Sequence, residues 1–173
     1  MKFLQKYNSL LIQIFHEEDL CKYDVGYITM EDEHHIVLES FDASGFKDGY
    51  IVIPKYNINL IQTNSEYLKK MNVLIKENTL ENIQNSYLFK GHKINIKDQN
   101  NLLRTLLVYA KDNKLHCSID ISDKGHDIAG WIQEVTDEHI FVQYHEESFL
   151  IHIDDVENVE IDSLVGRENA LVM

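Results

Sequence analysis

One stretch of this chain is written twice, and that repetition constrains the fold more than any single motif does. Gly26 to Ser40, GYITMEDEHHIVLES, aligns without a gap on Gly130 to Tyr144, GWIQEVTDEHIFVQY. Gly26 falls on Gly130, Tyr27 on Trp131, Ile28 on Ile132, His35 on His139, Ile36 on Ile140, Val37 on Phe141 and Leu38 on Val142. Self-similarity of this kind points to a duplicated structural unit in which apolar positions persist while polar ones drift.

The first copy opens on glycine, alternates through Ile28 and Met30, reverses at Glu31, Asp32 and Glu33, and returns through Ile36 to Leu38, which is the pattern of a β-hairpin. Before it, Phe3, Leu4, Tyr7, Leu10, Leu11, Ile14 and Phe15 recur at three- and four-residue steps, so an amphipathic helix is expected over Phe3 to Phe15. The acids Glu17, Glu18 and Asp19 end it, and a strand is expected near Leu20 to Tyr23. After the hairpin, the loop DASGFKDG leads to a buried strand over Tyr50 to Ile53. Pro54 closes that strand because it has no N–H to give, and Ile58, Leu60 and Ile61 suggest a short final one.

The same order returns around the second copy: a helix from about Asn100 to Asp112, a strand over Leu115 to Ile119, the insertion SDKGHD, the hairpin, a strand over Phe149 to Ile153, and a last one through Val156, Val159 and Ile161. With one gap, that last strand lies on Tyr56, Ile58 and Leu60. Residues 63–99 have no counterpart. They hold a helix capped by Asn64 or Ser65, with Tyr67, Leu68, Met71, Leu74 and Ile75 on its apolar face, then an Asn-rich stretch. That stretch reads as a connector with a short strand at Lys93 to Lys97, or as an arm that completes a barrel. The expected division is 1–62 as first module, 63–99 as helix and connector, 100–163 as second module, and 164–173 as a frayed or partner-docked tail.

Charge separates the two halves. Residues 1–62 carry five Lys and ten acids, residues 63–114 nine Lys or Arg and five acids, and residues 115–163 thirteen acids against Lys124 alone. An acidic field of that density repels phosphate and anionic lipid and favours basic protein partners; solubility is its plainer use. No run is apolar enough to cross a bilayer and the N-terminus lacks a signal-cleavage pattern, so a cytoplasmic protein is expected. Cys21 and Cys117 each precede a repeated block and read as buried thiols, and no Cys/His spacing suggests zinc. The Asn, Ile and Lys usage suits an AT-rich genome, with a small bacterial or mobile-element protein as the expected source.

A helix followed by five short, bent strands, the first hairpin opening hydrophobic-x-Gly-x-hydrophobic, resembles the Sm and Sm-like family. Val25, Gly26, Ile28, Asp32, Ile36 and Leu38 resemble its first motif; Ala129, Gly130, Ile132, Asp137, Ile140 and Val142 repeat it with the aspartate shifted by one. The resemblance implies a mainly β chain with accessory helices, two tandem Sm-like or SH3-like five-stranded barrels, and subunits that pair edge to edge. It also marks departures. Where the family has its RNA-binding asparagine stand His35 and His139, and its second motif, ending in Arg-Gly, here reads Val52-Ile53-Pro54 and Ile151-His152-Ile153. Nucleic acid is therefore a poor partner for the acidic second module, since phosphate contacts supply most of such affinity.

Nine histidines invite a metal reading, and the best local cluster is Asp137, His139, His152 and Asp154 on adjacent strands. His139 and His152 are thus the metal candidates, against the plainer reading of solvated surface histidines. His116 neighbours Cys117 but points to the opposite face of a strand, which argues against a nucleophilic dyad. No glycine-rich phosphate loop, Gly-x-Ser-x-Gly elbow or His-Glu-x-x-His helix is present. Paired acids such as Glu146 with Glu147 follow from composition.

The expectation is a non-enzymatic protein-binding or regulatory module without a cofactor. Trp131, Tyr27, Glu134, Asp137, Asp154 and Asp155 are the candidate contact residues, for a protein partner or for self-association through free strand edges, homodimerisation included. Trp and Tyr are chosen because they dominate interfaces, although packing beneath each module's helix is the alternative fate of both rings. Two other readings stay open: nucleic-acid binding through Lys69, Lys70, Lys76, Lys90, Lys93 and Arg104, and a metal-dependent enzyme at the histidine-bearing face.

Overall fold

Short β-branched runs dominate this chain, and they become strands. A computed structural model describes residues 2–16, 22–80, 86–96, 100–121 and 127–171. The strands are β1 (Ile12–Phe15), β2 (Tyr23–Glu31), β3 (His35–Phe41), β4 (Lys47–Pro54), β5 (Leu60–Thr63), β6 (His116–Ile121), β7 (Asp127–Val135), β8 (His139–Tyr144), β9 (Glu147–His152) and β10 (Val156–Ile161). The helices are α1 (Phe3–Tyr7), α2 (Glu66–Leu80), α3 (Tyr87–Lys90), α4 (Leu102–Asp112) and α5 (Leu164–Leu171). The chain is mainly β with accessory helices, as expected. All ten strands join one antiparallel sheet in the order β5-β1-β2-β3-β4-β10-β6-β7-β8-β9.

The two similar stretches form hairpins of matching register. Tyr27 pairs with Glu39 and Ile28 with Leu38; the register slips at Thr29 and resumes with Met30 opposite Val37. Trp131 pairs with Gln143 and Ile132 with Val142; the slip falls at Gln133, and Glu134 then faces Phe141. Gly26 and Gly130 open the two hairpins because a Cβ at either would run into a backbone oxygen, that of Glu39 or of Gln143.

Around the hairpins the pairings also correspond. Ile12 lies opposite Gly26 and Cys117 opposite Gly130, so Ile12, not Cys21, is the counterpart of Cys117; Cys21 lies outside the described residues. Thr63 pairs with Ile12 and Ile161 with Cys117, so Val156, Val159 and Ile161 correspond to Ile58, Ile61 and Thr63 rather than to Tyr56, Ile58 and Leu60. The halves meet where β4 pairs with β10, Val52 opposite Val159 and Ile51 opposite Glu160.

The expected helix over Phe3 to Phe15 is corrected: α1 ends at Tyr7, and Ile12–Phe15 is a fully buried strand between β2 and β5. Both faces of this strand are covered, and its one polar residue, Gln13, is buried too, accepting from the Ser65 hydroxyl at 2.7 Å; the apolar residues on either side of it, Leu10, Leu11, Ile14 and Phe15, fit helical spacing as well. The expected strand near Leu20 falls on residues 17–21, outside the described residues, and Tyr23 begins β2. No strand forms over residues 93–96; the connector instead holds α3, and residues 97–99 lie outside the described residues. The tail is corrected too. Its Arg167 is buried, and the guanidinium donates to the carbonyl oxygens of Leu88, Lys47 and Asp162, which clamps α5 to α3 and β4.

Three apolar clusters hold the layers together. Ile12, Ile14, Ile28, Ile36, Leu38, Ile51 and Ile53 fill the first half. Leu68 and Met71 of α2 cover Leu11 and Val25 on its other face, and Ser65 caps that helix by accepting from the Leu68 N–H at 3.1 Å. The third cluster crosses the seam: the leucines of α4 pack on Cys117, Ile132 and Ile140 and also on Met30, Val37 and Val52 of the first half. Asp32 reinforces this contact by accepting the Leu102 N–H at the start of α4, at 2.7 Å.

Candidate functional site

Strand β9 is an edge. Among the described residues it pairs only with β8, and an apolar groove of about 760 Å³ runs beside it, lined by Ile121, Ile128, Phe149 and Ile151. Alternation along β9 turns Phe149 and Ile151 inward and leaves Leu150 outward, 58% exposed, beside its cross-strand neighbour Phe141, 42% exposed. The groove mouth is acidic, with Asp127, Glu147 and Asp155 on its rim. An unpaired edge over an apolar slot is the arrangement that takes up an added strand.

Leu150 and Phe141 are missing from the residues singled out in the sequence. Their signal was there: Phe149-Leu150-Ile151 stays apolar at the position that alternation assigns to solvent. The matching pair in the first half, Val52 and Val37, is fully buried under α4.

The candidate contact residues fall into two groups. Tyr27 sits in the α2 layer, its hydroxyl 3.3 Å from Asn72 Oδ1 and its ring edge-on to Phe41 at 5.7 Å. Trp131 is half-buried against His116, at 5.0 Å between ring centres, and stacks on Tyr144. Both aromatic rings are therefore engaged within the chain. Glu134, Asp154 and Asp155 are exposed, with Glu134 directly across from Phe141. Asp137 is exposed but paired to Arg104 at 2.9 Å, and the turn role of Asp32 passes to Thr136, whose hydroxyl accepts the His139 N–H.

His139 and His152 face one another across β8 and β9, ring centres 5.1 Å apart. His152 Nδ1 accepts the Asp154 N–H at 3.3 Å, and Asp137 is drawn away to Arg104. Among the described residues, no group of three or more His, Cys, Asp or Glu could hold a metal ion. Of the basic residues, Lys69 pairs with Glu66 and Arg104 with Asp137; Lys70 and Lys76 are exposed on α2, and Lys90 and Lys93 flank the turn after α3. Cys117 is free and fully buried, and burial first, with the Asp162 carboxylate second, pushes its thiol up. A thiol held protonated in an apolar core is not a nucleophile.

Carboxylates crowd the seam. The Glu160 carboxyl lies in a small cavity of about 90 Å³ with Asp24, Asp120, Asp127 and Asn158. Glu160 is open to solvent as a residue, but partial desolvation of its carboxyl in this crevice, then the neighbouring acids, push it up to about 7, and burial raises Asp120 and Asp48 as well. No helix among the described residues is long and apolar enough to cross a membrane. No protein-family model matches the chain, and no curated protein matches it.

Proposed function

We propose that the chain is a non-enzymatic protein-binding module, two Sm-like five-stranded units in tandem, that engages its partner along β9. The observation that carries this reading is the β9 edge, which among the described residues has no strand beyond it, over an apolar groove set in the acidic half of the sheet. Backbone pairing along the edge supplies affinity, the groove takes alternate side chains, and Glu134, Asp154 and Asp155 steer a partner whose contact surface is basic or neutral. The matching hairpin registers support the tandem arrangement. Nucleic-acid binding has weaker support, because Lys69 and Arg104 are already paired with acids.

An affinity pull-down from host extract, with and without nuclease, compares the wild type with Leu150→Lys. Capture that survives nuclease and is lost in the variant is expected. Capture abolished by nuclease, or equal in both proteins, would overturn the reading.

A further inference from the structure

We infer that an amphipathic helix of a partner protein, basic along its flanks, docks on the outward face of β7, β8 and β9 over Phe141 and Leu150. This rests on the proposed binding role of β9 and names what lies against its exposed side.

The chain holds its own example of such a docking. In the first half Met30 lies opposite Val37 and Val37 opposite Val52, one row across β2, β3 and β4. Helix α4 covers that row. Its Leu102, Leu103, Leu106, Leu107 and Ala110 form one stripe at three- and four-residue steps, and they share a cluster with all three row residues. The start of α4 is fixed by Asp32, which accepts the Leu102 N–H at 2.7 Å.

The second half repeats the row without the cover. Glu134 lies opposite Phe141 and Phe141 opposite Leu150, across β7, β8 and β9. A register slip stands just before each row, at Thr29 and at Gln133, so the two rows are placed alike in their hairpins. Yet Phe141 is 42% and Leu150 58% exposed, where Val37 is 0% and Val52 1%. Phenylalanine and leucine also offer more apolar area than the two valines under α4. Two large apolar neighbours open to water, at the place where the other hairpin carries a helix, are anchors for an amphipathic helix.

Charge decides which kind of helix fits. Met30, buried under α4, gives way to the exposed Glu134. Glu138 is exposed in the turn, and Asp154 and Asp155 are exposed just past β9. An apolar pair bordered by carboxylates favours Lys or Arg beside the apolar stripe and rejects acids there. The turn differs as well. Thr136 takes over its hydrogen bonds and the Asp137 carboxylate, 94% exposed, goes to Arg104, so the buried acceptor that fixes α4 has no equivalent here. The contact is held by the apolar pair and by charge, which suits a partner that binds reversibly.

Fluorescence anisotropy tests this with the full chain and a labelled synthetic peptide, a helix with leucines at i, i+3, i+4 and i+7 and lysines beside them. One twin replaces the lysines by glutamates; another carries a proline in the middle of the stripe and cannot stay helical. Expected is micromolar binding of the basic helix, weakened about tenfold or more by Leu150→Lys and by Phe141→Lys. Glu134→Lys should weaken it chiefly at low salt, and Glu66→Lys, the same charge change on α2, should leave it as it is. All four positions are exposed, and circular dichroism checks that each variant is folded. No binding up to roughly 100 µM, or equal binding by Leu150→Lys, overturns the inference. So does an acidic twin that binds as tightly, and so does the proline twin, since an extended strand would then be the occupant. Self-association of the wild type through Leu150 in sedimentation velocity, which the peptide fails to displace, assigns the face to a second copy and overturns it too. If the peptide does not bind while Leu150→Lys still abolishes capture from extract, this inference falls and the β9 binding role stands.

Discussion

Glu160, held up to about 7 by burial and by Asp24, Asp48, Asp127 and Asp120, makes the seam respond to pH. In the unfolded chain its carboxyl reverts to the ordinary value of 4.5. Its contribution to stability is therefore fully present below that value and is lost as pH rises through about 7. Glu160→Gln should stabilise the fold at pH 8 and make no difference well below pH 4.5, with the gap opening between that value and about 7; thermal unfolding of both proteins across that range reads the gap, and a constant gap would refute the assignment. Glu31 and Asp32 run the other way. Burial opposes their charge, but Lys55 with the Leu4 and Phe3 N–H groups, and the N–H groups of Leu102, His35 and His34, outweigh it and hold both carboxyls low. Their stabilisation is present at neutral pH and lost on acidification. Arg167 is the other critical residue: Arg167→Met leaves the buried Asp162 carboxylate without its cation, with the His92 N–H still donating to it, and leaves the carbonyl oxygens of Leu88, Lys47 and Asp162 without that donor, which should cost about 3–5 kcal/mol in denaturant unfolding.

At the scale of elements, the hairpins were legible in the sequence and the strands beside them were not. Gly26 and Gly130, with alternation on either side, marked the two strands and their turn, because a carbonyl approaches too closely for any other residue at either glycine; the register slips at Thr29 and Gln133 left no such mark. Strand β1 was misread because it is covered on both faces, by α2 through Leu11 and by the first-half cluster through Ile12 and Ile14. Its single polar residue, Gln13, faces the α2 side, where the Ser65 hydroxyl donates to it, so the alternation is too short to stand out from the helical spacing of Leu10, Leu11, Ile14 and Phe15. The β9 groove was half legible: Phe149 to Ile153 reads as a strand, but nothing local says that its edge lacks a neighbour, since that depends on where β10 goes. Helix α2 was legible from its apolar face, but not what that face covers: Leu68 and Met71 close over Leu11 and Val25 of the first half. Met71→Ala should therefore cost about 2–5 kcal/mol, read from the denaturation midpoint at constant slope.

For the whole molecule, the consequence of one continuous sheet is a gradient of protection. Amides of β4 and β10 lie inside it and β5 and β9 bound it, so hydrogen exchange should be slow at the seam and fastest, among strands, at β5 and β9. Tandem similarity was legible in the sequence, but the single sheet was not, because the pairing of β4 with β10 joins residues about a hundred positions apart.

That separation also gives the fold a timetable. Strand β4 is complete at Pro54, but the strand that covers its edge spans Val156–Ile161. At ribosomal speeds the intervening stretch takes on the order of ten seconds to make. Throughout that interval the nascent first half displays Tyr50, Ile51 and Val52 along a bare edge, with Met30 and Val37 uncovered until α4 emerges. The molecule's greatest exposure to aggregation and to chaperones thus falls during its own synthesis, and it ends only when β10 slides in between β4 and β6.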